Sequence, residues 1–302
     1  MDDVARAWWE TQFLVRFLLA KGSTFQDLFS SLMELGHPGD FQRVRPWGSA
    51  GDRKNDGYLR TQRILFQVYG PNEMSAAAAI AKIDEDFHGA LPYWEPYFDT
   101  WAFVHNCHDG LSPQITAKLL ELNAGYPPTT LPWGYAELRQ ELFRMPDDDI
   151  AALLGPAPTR RTIQQIGMQD LQPLIDQLGR LPATQEPDLR PVPPDKLSLN
   201  MLSDSVAALL RVGMTRADLV DRYFRQHHDP TYRDDVAEKF RRRYDHLRSE
   251  GLSPDRVFDG LRVYVGGSML QTAEHDAAAL AILAYFFESC DIFERPIEVG
   301  QT

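Results

Sequence analysis

The chain has 302 residues, of which 43% are hydrophobic, enough to fill one large core or two cores of ordinary domain size. Two domains are therefore expected. The formal net charge of −12 argues against a protein coated with basic, nucleic-acid-binding surface and leaves room only for a local basic groove.

Cysteine usage and apolar run lengths indicate where the chain works. Its two cysteines, Cys107 and Cys290, are too few and too far apart in sequence for a disulfide framework or a zinc cluster. The first residues are acidic and amphipathic, and no stretch approaches the roughly 18 apolar residues of a membrane span. We therefore expect a protein of the reducing cytoplasm with no membrane partner.

Helices and strands alternate in the first half of the chain. Apolar spacing predicts a helix over residues 4–19 and a second helix that begins after Ser23 and Thr24 and ends near Gly36. The further predicted elements are strands over 41–45, 64–69 and 102–105, and helices over 75–87, 113–122 and 135–143. This alternation predicts an α/β domain over residues 1–150.

The second half has a different character. Five prolines fall within residues 180–194, so residues 151–195 are predicted to form a proline-rich linker with short helices. Beyond it, helical spacing recurs over 204–210, 215–226, 232–250, 254–265 and 272–287. The predicted C-terminal domain, residues 196–302, is therefore all-α and suited to interaction.

A charged loop followed by an apolar strand stands out at residues 51–70, GDRKNDGYLRTQRILFQVYG. The loop carries Asp52 and Asp56, and the strand directs Gln67 and Tyr69 to one face because strand side chains alternate. A strand with His105 and the pair Trp133-Gly134 follow later. This order resembles the restriction-endonuclease-like fold of the PD-(D/E)XK nucleases over residues 20–145, and it implies a mixed central sheet.

The resemblance implies a set of catalytic and metal-binding residues. In such nucleases an aspartate precedes one core strand, which then carries an acid or Gln, any residue, and Lys. On this chain Asp56 takes the metal role, with Gln67 as a weaker ligand and Asp52 as a further one. The implied cofactor is Mg²⁺ or Mn²⁺, and the implied reaction is hydrolysis of DNA.

The lysine of the nuclease motif is replaced by Tyr69, whose neutral phenol supplies no positive charge. Lys54 in the loop and Lys82 on the following helix are equally weighted substitutes, and Arg53 is a third. Arg53 and Lys54 are also the candidate nucleic-acid contacts. Three interpretations stay open: a working catalytic site, a nucleic-acid-binding relic, and a purely structural loop in which Asp56 serves a turn.

The second half carries its own resemblance. The stretches LSLNMLSDSVAALLRVGMTRADLVDRYF and AALAILAYFFESCDIFERP resemble the C-terminal domains of effector proteins in ABC-three-component bacterial conflict systems, over about residues 196–296. That implies an SMC-like ABC ATPase and a small middle component as partners in defence against phage or plasmid DNA. The chain would be a nuclease-like effector or, alternatively, a non-catalytic DNA-binding or adaptor subunit. A homo-oligomer is left open.

Two other features receive mainly structural interpretations. The basic stretch over 239–248, KFRRRYDHLR, lies among acidic residues and favours a solvated or partner-docking helix face over DNA contact. His105, Asn106, His108 and Asp109 follow directly on a predicted strand, where α/β proteins often place functional groups, and they are held as supporting residues of a site.

Overall fold

The computed structural model of the protein describes residues 1–44, 53–180, 200–266, 272–289 and 292–293. The chain divides into two compact units. The α/β unit comprises Phe13–Leu154, and the helical unit comprises Met1–Gln12 together with Gly155–Thr302. Each unit is described by itself below.

The α/β unit alternates helices with the strands of one sheet. Its elements in chain order are α1 (Asp3–Leu19, which begins in the helical unit), α2 (Ser23–Gly36), β1 (Phe41–Arg43), β2 (Gly57–Leu59), β3 (Ile64–Tyr69), α3 (Ala76–Trp94), β4 (Thr100–His105), α4 (Pro113–Gly125), β5 (Thr129–Trp133), α5 (Tyr135–Leu142) and α6 (Asp147–Leu154).

The sheet is mixed and its strands lie in sequence order from β1 to β5. The first three strands pair antiparallel, whereas β3, β4 and β5 run parallel, with Tyr69 opposite His105 and Val104 opposite Trp133. The predicted α/β half with a mixed sheet is confirmed. Whether this sheet belongs to the nuclease fold stays a prediction.

Two strands were missing from the sequence prediction. β2 has three residues and begins at Gly57, which is too short for an alternating pattern to be recognised. β5 contains Pro132, a residue that sequence analysis assigns to turns. The proline is tolerated because β5 is at the edge of the sheet, where one side of the backbone needs no ladder partner.

Both faces of the sheet are covered by apolar side chains. On one face the Phe66 ring lies 5.2 Å from the Phe29 ring of α2 and 5.0 Å from the Trp133 ring. On the other face Leu65 joins a buried cluster with residues of α3 and α4, including Phe87 and Leu119. Polar side chains on these strands are therefore exceptions in an apolar interior, and they are the candidates for a chemical role.

The helical unit is built around one helix. After α7 (Arg160–Gln165) and α8 (Met168–Gly179) follow α9 (Asp204–Met214), α10 (Ala217–Gln226), α11 (Tyr232–Ser249), α12 (Pro254–Gly266) and α13 (Ala273–Glu288). Every residue from Asp276 to Phe287 is buried, because α13 is contacted by α7, α8, α9, α10 and α12. The predicted helical C-terminal half is confirmed.

The predicted domain boundaries stay predictions. The helices α7 and α8 fall inside the stretch that sequence analysis assigned to the linker, and both contact α13. The proline-rich run itself falls mostly within residues 181–199, outside the described residues. Among the helices that the structure describes, none combines the length and the apolar character that a membrane crossing requires.

Candidate functional site

Asp56 is buried and joins three parts of the α/β unit. Its backbone N–H donates to Phe66 O at 2.9 Å, which places it beside β3 just where β2 begins. Its Oδ2 accepts the Val68 N–H at 2.7 Å, and its Oδ1 accepts from Gln26 Nε2 at 2.5 Å. The carboxylate thus accepts from a β3 amide that lies beyond the first residue of β2. It also ties β3 to α2.

The loop before Asp56 has a constrained backbone. Arg53 and Lys54 both have left-handed φ angles, 53° and 61°. Asn55 Oδ1 then accepts the Gly57 N–H at 2.9 Å, and a Cβ on Gly57 would lie only 2.6 Å from Phe41 Cε2. The glycine at position 57 therefore has a steric explanation, since a larger residue would overlap with the Phe41 ring.

Gln67 and Tyr69 share the β3 face that packs against α3 and α4, as their spacing predicted. Tyr69 packs its ring 5.9 Å from the Phe103 ring. Gln67 is only 5% exposed, and its Oε1 accepts no hydrogen bond from any described residue. A buried carbonyl oxygen without a donor is unfavourable, so Gln67 has binding capacity that the described residues leave unused.

Lys54 and Lys82 converge on a carboxylate to which sequence analysis assigned no role, Asp86 of α3. Lys82 Nζ lies 2.9 Å from both carboxylate oxygens, and Lys54 Nζ lies 3.1 Å from Oδ1. Lys54 also reaches Glu85 Oε1 at 2.5 Å, and this hydrogen bond is the main reason that its pKa is raised. Asp86 is completely buried, so the two ammonium groups compensate a charge that water does not reach.

The rest of the loop is held on α3 as well. Trp94 Nε1 donates to Arg53 O at 3.1 Å, and the Arg53 guanidinium lies 4.4 Å from the centre of the Tyr93 ring. The Lys54 side chain crosses Gly89, where an added Cβ would lie 2.9 Å from Lys54 Cγ. The structure thus brings Arg53, Lys54 and Lys82 to one helix, where Lys54 and Lys82 pair with Asp86 and Arg53 packs on Tyr93.

The described residues do not make a complete site for the implied Mg²⁺. Mg²⁺ prefers an octahedron of oxygens with one or two carboxylates. Asp56 supplies one carboxylate, whose two oxygens already accept N–H groups, and Gln67 supplies one neutral oxygen. Asp52 lies outside the described residues, and within them no three His, Cys, Asp or Glu side chains are grouped for a metal. Asp56 and Gln67 by themselves therefore do not suffice to hold Mg²⁺.

A separate cavity of about 250 Å³ lies where β4 and β5 end, lined by His105 and by the first turn of α5. Sequence analysis held His105 and its neighbours as supporting residues, and the structure separates them. Asn106 Nδ2 donates to Pro71 O at 3.0 Å in a purely structural contact, whereas His108 pairs with Asp109 at 2.8 Å. His105 and His108 both line the cavity, and His105 is the buried one of the two.

Comparison with known proteins bears on the helical unit alone. No curated protein and no solved structure matches the chain. Residues 169–294 match the family model described as C-terminal domain 10 of the ABC-three component systems. The match begins with α8, earlier than sequence analysis placed the resemblance, and α8 packs against the central helix α13. This helical segment is thus similar to a C-terminal domain of the ABC-three component systems, and a role of the chain in such a system is supported.

Proposed function

We propose that the chain is a non-hydrolytic adaptor of an ABC-three component defence system. Its helical segment docks onto the other components, an SMC-like ABC ATPase and a small middle component, and its α/β unit carries a degenerate nuclease-like site. The observation that carries this proposal is the pairing of Lys54 and Lys82 with the buried Asp86.

Phosphodiester hydrolysis needs a cation beside the reacting phosphate. Lys54 and Lys82, the substitutes for the missing motif lysine, are both held on α3 by Asp86, and Lys54 is held by Glu85 too. The two positive and two negative charges cancel. Withdrawing the lysines would leave Asp86 as an uncompensated buried charge, which is strongly unfavourable. The lysines are thus engaged in holding the loop, which supports an adaptor over a hydrolase.

Asp56 supports the same proposal. A catalytic metal ligand keeps its oxygens directed at the ion, whereas both oxygens of Asp56 accept N–H groups of the protein itself. A carboxylate that ties a strand edge to a helix has a sufficient structural reason to be there. The same holds for Gly57, whose place follows from contact with the Phe41 ring.

The most basic stretch of the helical unit is engaged within that unit. Lys239 Nζ donates to Gly179 O at 2.7 Å at the end of α8, Arg242 Nε pairs with Glu238 at 3.0 Å, and Arg248 donates to the Tyr244 hydroxyl at 3.1 Å. These contacts favour a protein partner for the helical unit over the phosphates of DNA.

The test is reconstitution of the full chain with the ATPase and the middle component, followed by incubation with plasmid DNA, and with RNA in a parallel arm, in Mg²⁺ or Mn²⁺. We expect the three proteins to co-purify and the nucleic acid to stay intact. Asp56→Asn is the matched variant. Cutting by the wild type that Asp56→Asn abolishes would refute the non-hydrolytic proposal, and failure of the proteins to associate would refute docking.

Metal-dependent hydrolysis of DNA is the second candidate, and one observation favours it. Gln67 Oε1 is buried without a hydrogen bond from any described residue, as expected of an oxygen that awaits a cation. Binding of Mn²⁺ to the wild type and to Gln67→Leu, measured by calorimetry, separates the two candidates. A hydrolase predicts binding that Gln67→Leu weakens, whereas an adaptor predicts no binding at this site and an unchanged or higher stability of Gln67→Leu.

A further inference from the structure

The cavity at the ends of β4 and β5 has the position of a ligand site. In sheets with parallel strands, ligands bind beyond the carboxyl ends of the strands, where loops and helix N-termini meet. Here β4 ends at His105, β5 ends at Trp133, and α5 begins at Tyr135. The cavity of about 250 Å³ between these ends lies away from the pairing of lysines with Asp86 and has no part in the proposed adaptor function.

His105 presents an unused hydrogen-bond donor to this cavity. The residue is 3% exposed, and burial lowers its pKa to about 4, so the ring is neutral at physiological pH. Its Nδ1 accepts the Cys107 N–H at 3.3 Å, which leaves the ring proton on Nε2. No described residue accepts that proton, and His105 lines the cavity, so a bound ligand can accept it.

The Nε2 edge of the ring faces the start of α5. A Cβ built on Gly134 would lie 2.6 Å from His105 Cε1 and 3.0 Å from Nε2, so the ring rests against this glycine. Gly134 is the N-cap of α5 and offers no side-chain oxygen to the first-turn N–H groups. The N–H of Ala136, which lines the cavity, is one of these groups. Two kinds of donor therefore converge on the same space.

The charges around the cavity are mixed. Glu137 lines it, but its Oε2 accepts the Gly134 N–H at 2.8 Å and is thereby engaged at the helix start. Lys21 lies close enough to the Cys107 thiol to counteract the rise of its pKa, and no ion pair joins its ammonium group to any residue the structure describes. The helix N-terminus adds partial positive charge. A ring donor and the positive end of the helix dipole suit an acceptor oxygen that carries negative charge, and the carboxylates of Glu137 and Asp109 are the charges that oppose it.

We propose that this cavity binds a small ligand through an anionic oxygen, a carboxylate or phosphoryl group, which accepts from His105 Nε2 and from the Ala136 N–H in the first turn of α5. A volume of about 250 Å³ is below the range of about 300–1,000 Å³ that is usual for pockets of drug-sized ligands. The ligand is accordingly a small anion or the charged end of a larger molecule. Because Gly134 has no side chain, the His105 ring lies directly against the N-terminus of α5.

The experiment titrates the full chain with inorganic phosphate and, separately, with acetate, and follows the His105 ring signals by NMR. We expect saturable shifts with at least one anion, and the anion that binds identifies the phosphoryl or the carboxylate source. His105→Phe keeps a ring against Phe103 but has no donor, and it should weaken binding by about tenfold or more, as expected for loss of one hydrogen bond to a charged group. For the variants, calorimetry and backbone amide shifts replace the ring signals.

His105→Gln keeps an N–H donor and should retain part of the affinity. His246→Gln, a change at an exposed histidine of the helical unit, is the matched control and should bind like the wild type. Gly134→Ala, which would place a methyl group against His105 Nε2, should also lose binding while its thermal unfolding confirms that it folds. Absence of saturable binding of both anions, or equal affinity of wild type and His105→Phe, would overturn the assignment.

Discussion

Removing the two lysines around Asp86 should cost much more together than the sum of their separate costs. Asp86 is completely buried, and it is contacted by Lys54 and by Lys82, whose side chains are 31% and 33% exposed. With Lys54→Met alone, Lys82 still lies against both oxygens of Asp86, and with Lys82→Met alone, Lys54 still lies against Oδ1. Each single change should therefore lower the free energy of unfolding by about 1 kcal/mol, as for a partly exposed ion pair.

The double variant leaves the Asp86 carboxylate without a cation. Breaking a buried pair so that one charge stays uncompensated costs about 3–5 kcal/mol. The cost of the double variant should therefore exceed the sum of the two singles by about 1–3 kcal/mol, a coupling of the size seen for residues in one network. Adding Asp86→Leu to the double variant removes the buried charge and should recover most of the loss.

The assay is urea unfolding of the wild type, the two single variants, the double variant and the triple variant at pH 7. The transition of the α/β unit is followed separately, since two units need not unfold together. Asp27→Ala serves as the control, because that carboxylate is largely exposed although it pairs with Arg43. Additive costs of Lys54→Met and Lys82→Met would refute the reasoning. Lysines that contribute independently would be free to serve a phosphate, and the argument for an adaptor would lose its support.

Three further predictions follow from the same contacts. Asp56→Asn should lower the free energy of unfolding by less than about 1 kcal/mol, because the Gln26 amide can rotate to accept from the new NH₂ group, as judged by urea unfolding. Gly57→Ala should cost about 1–3 kcal/mol through overlap with the Phe41 ring, which thermal unfolding will show. Asp276 is buried, and burial raises its pKa from 3.8 to about 6. Between these two pKa values the folded state binds a proton that the unfolded state releases, so the wild type loses stability as pH rises from about 4 to about 6. Asp276→Asn has no such loss. Its free energy of unfolding, relative to that of the wild type, should therefore rise across that window by on the order of 1–3 kcal/mol.

Each of these predictions has a control and a contradicting result. Asp56→Ala cannot accept the Val68 N–H and should cost clearly more than Asp56→Asn, so equal costs would deny the structural role. Gly125→Ala adds a methyl group where nothing lies within 4 Å, and it should leave the melting temperature nearly unchanged. A constant difference between Asp276→Asn and the wild type from pH 4 to pH 7 would show that Asp276 is ionised throughout.

Local patterns sufficed for most of the helices and for the two central strands. The helix of the second half that is apolar on every side, α13, was recognisable because its spacing and capping residue Thr272 are local features. The strands β3 and β4 are apolar runs that are buried on both faces. The edge strand β5 was not recognisable from its sequence, because it is defined by its pairing with β4 and because Pro132 is a residue that disfavours strands.

The candidate site shows the same division. The spacing of Gln67 and Tyr69 determines that they share a face of β3, since strand side chains alternate whatever surrounds them. The partner of Lys54 was beyond sequence reasoning, because Asp86 lies 32 residues further along and meets it only when the loop packs on α3. Lys82 and Asp86 are four residues apart, a spacing that pairs side chains on a helix, but nothing in the sequence shows that Asp86 is buried.

What the sequence determined by itself is the class of each half: an α/β unit, and a helical unit in which residues 169–294 are similar to a C-terminal domain of ABC-three component systems. Periodicity and capping act over a few residues, so they are legible in the chain. Only the tertiary structure decided that the lysines neutralise Asp86, that Asp56 joins β3 to α2, and that His105 faces a cavity. Charge pairing and enclosure depend on residues that are distant in sequence, and burial, which sets their strength, exists only in the folded chain.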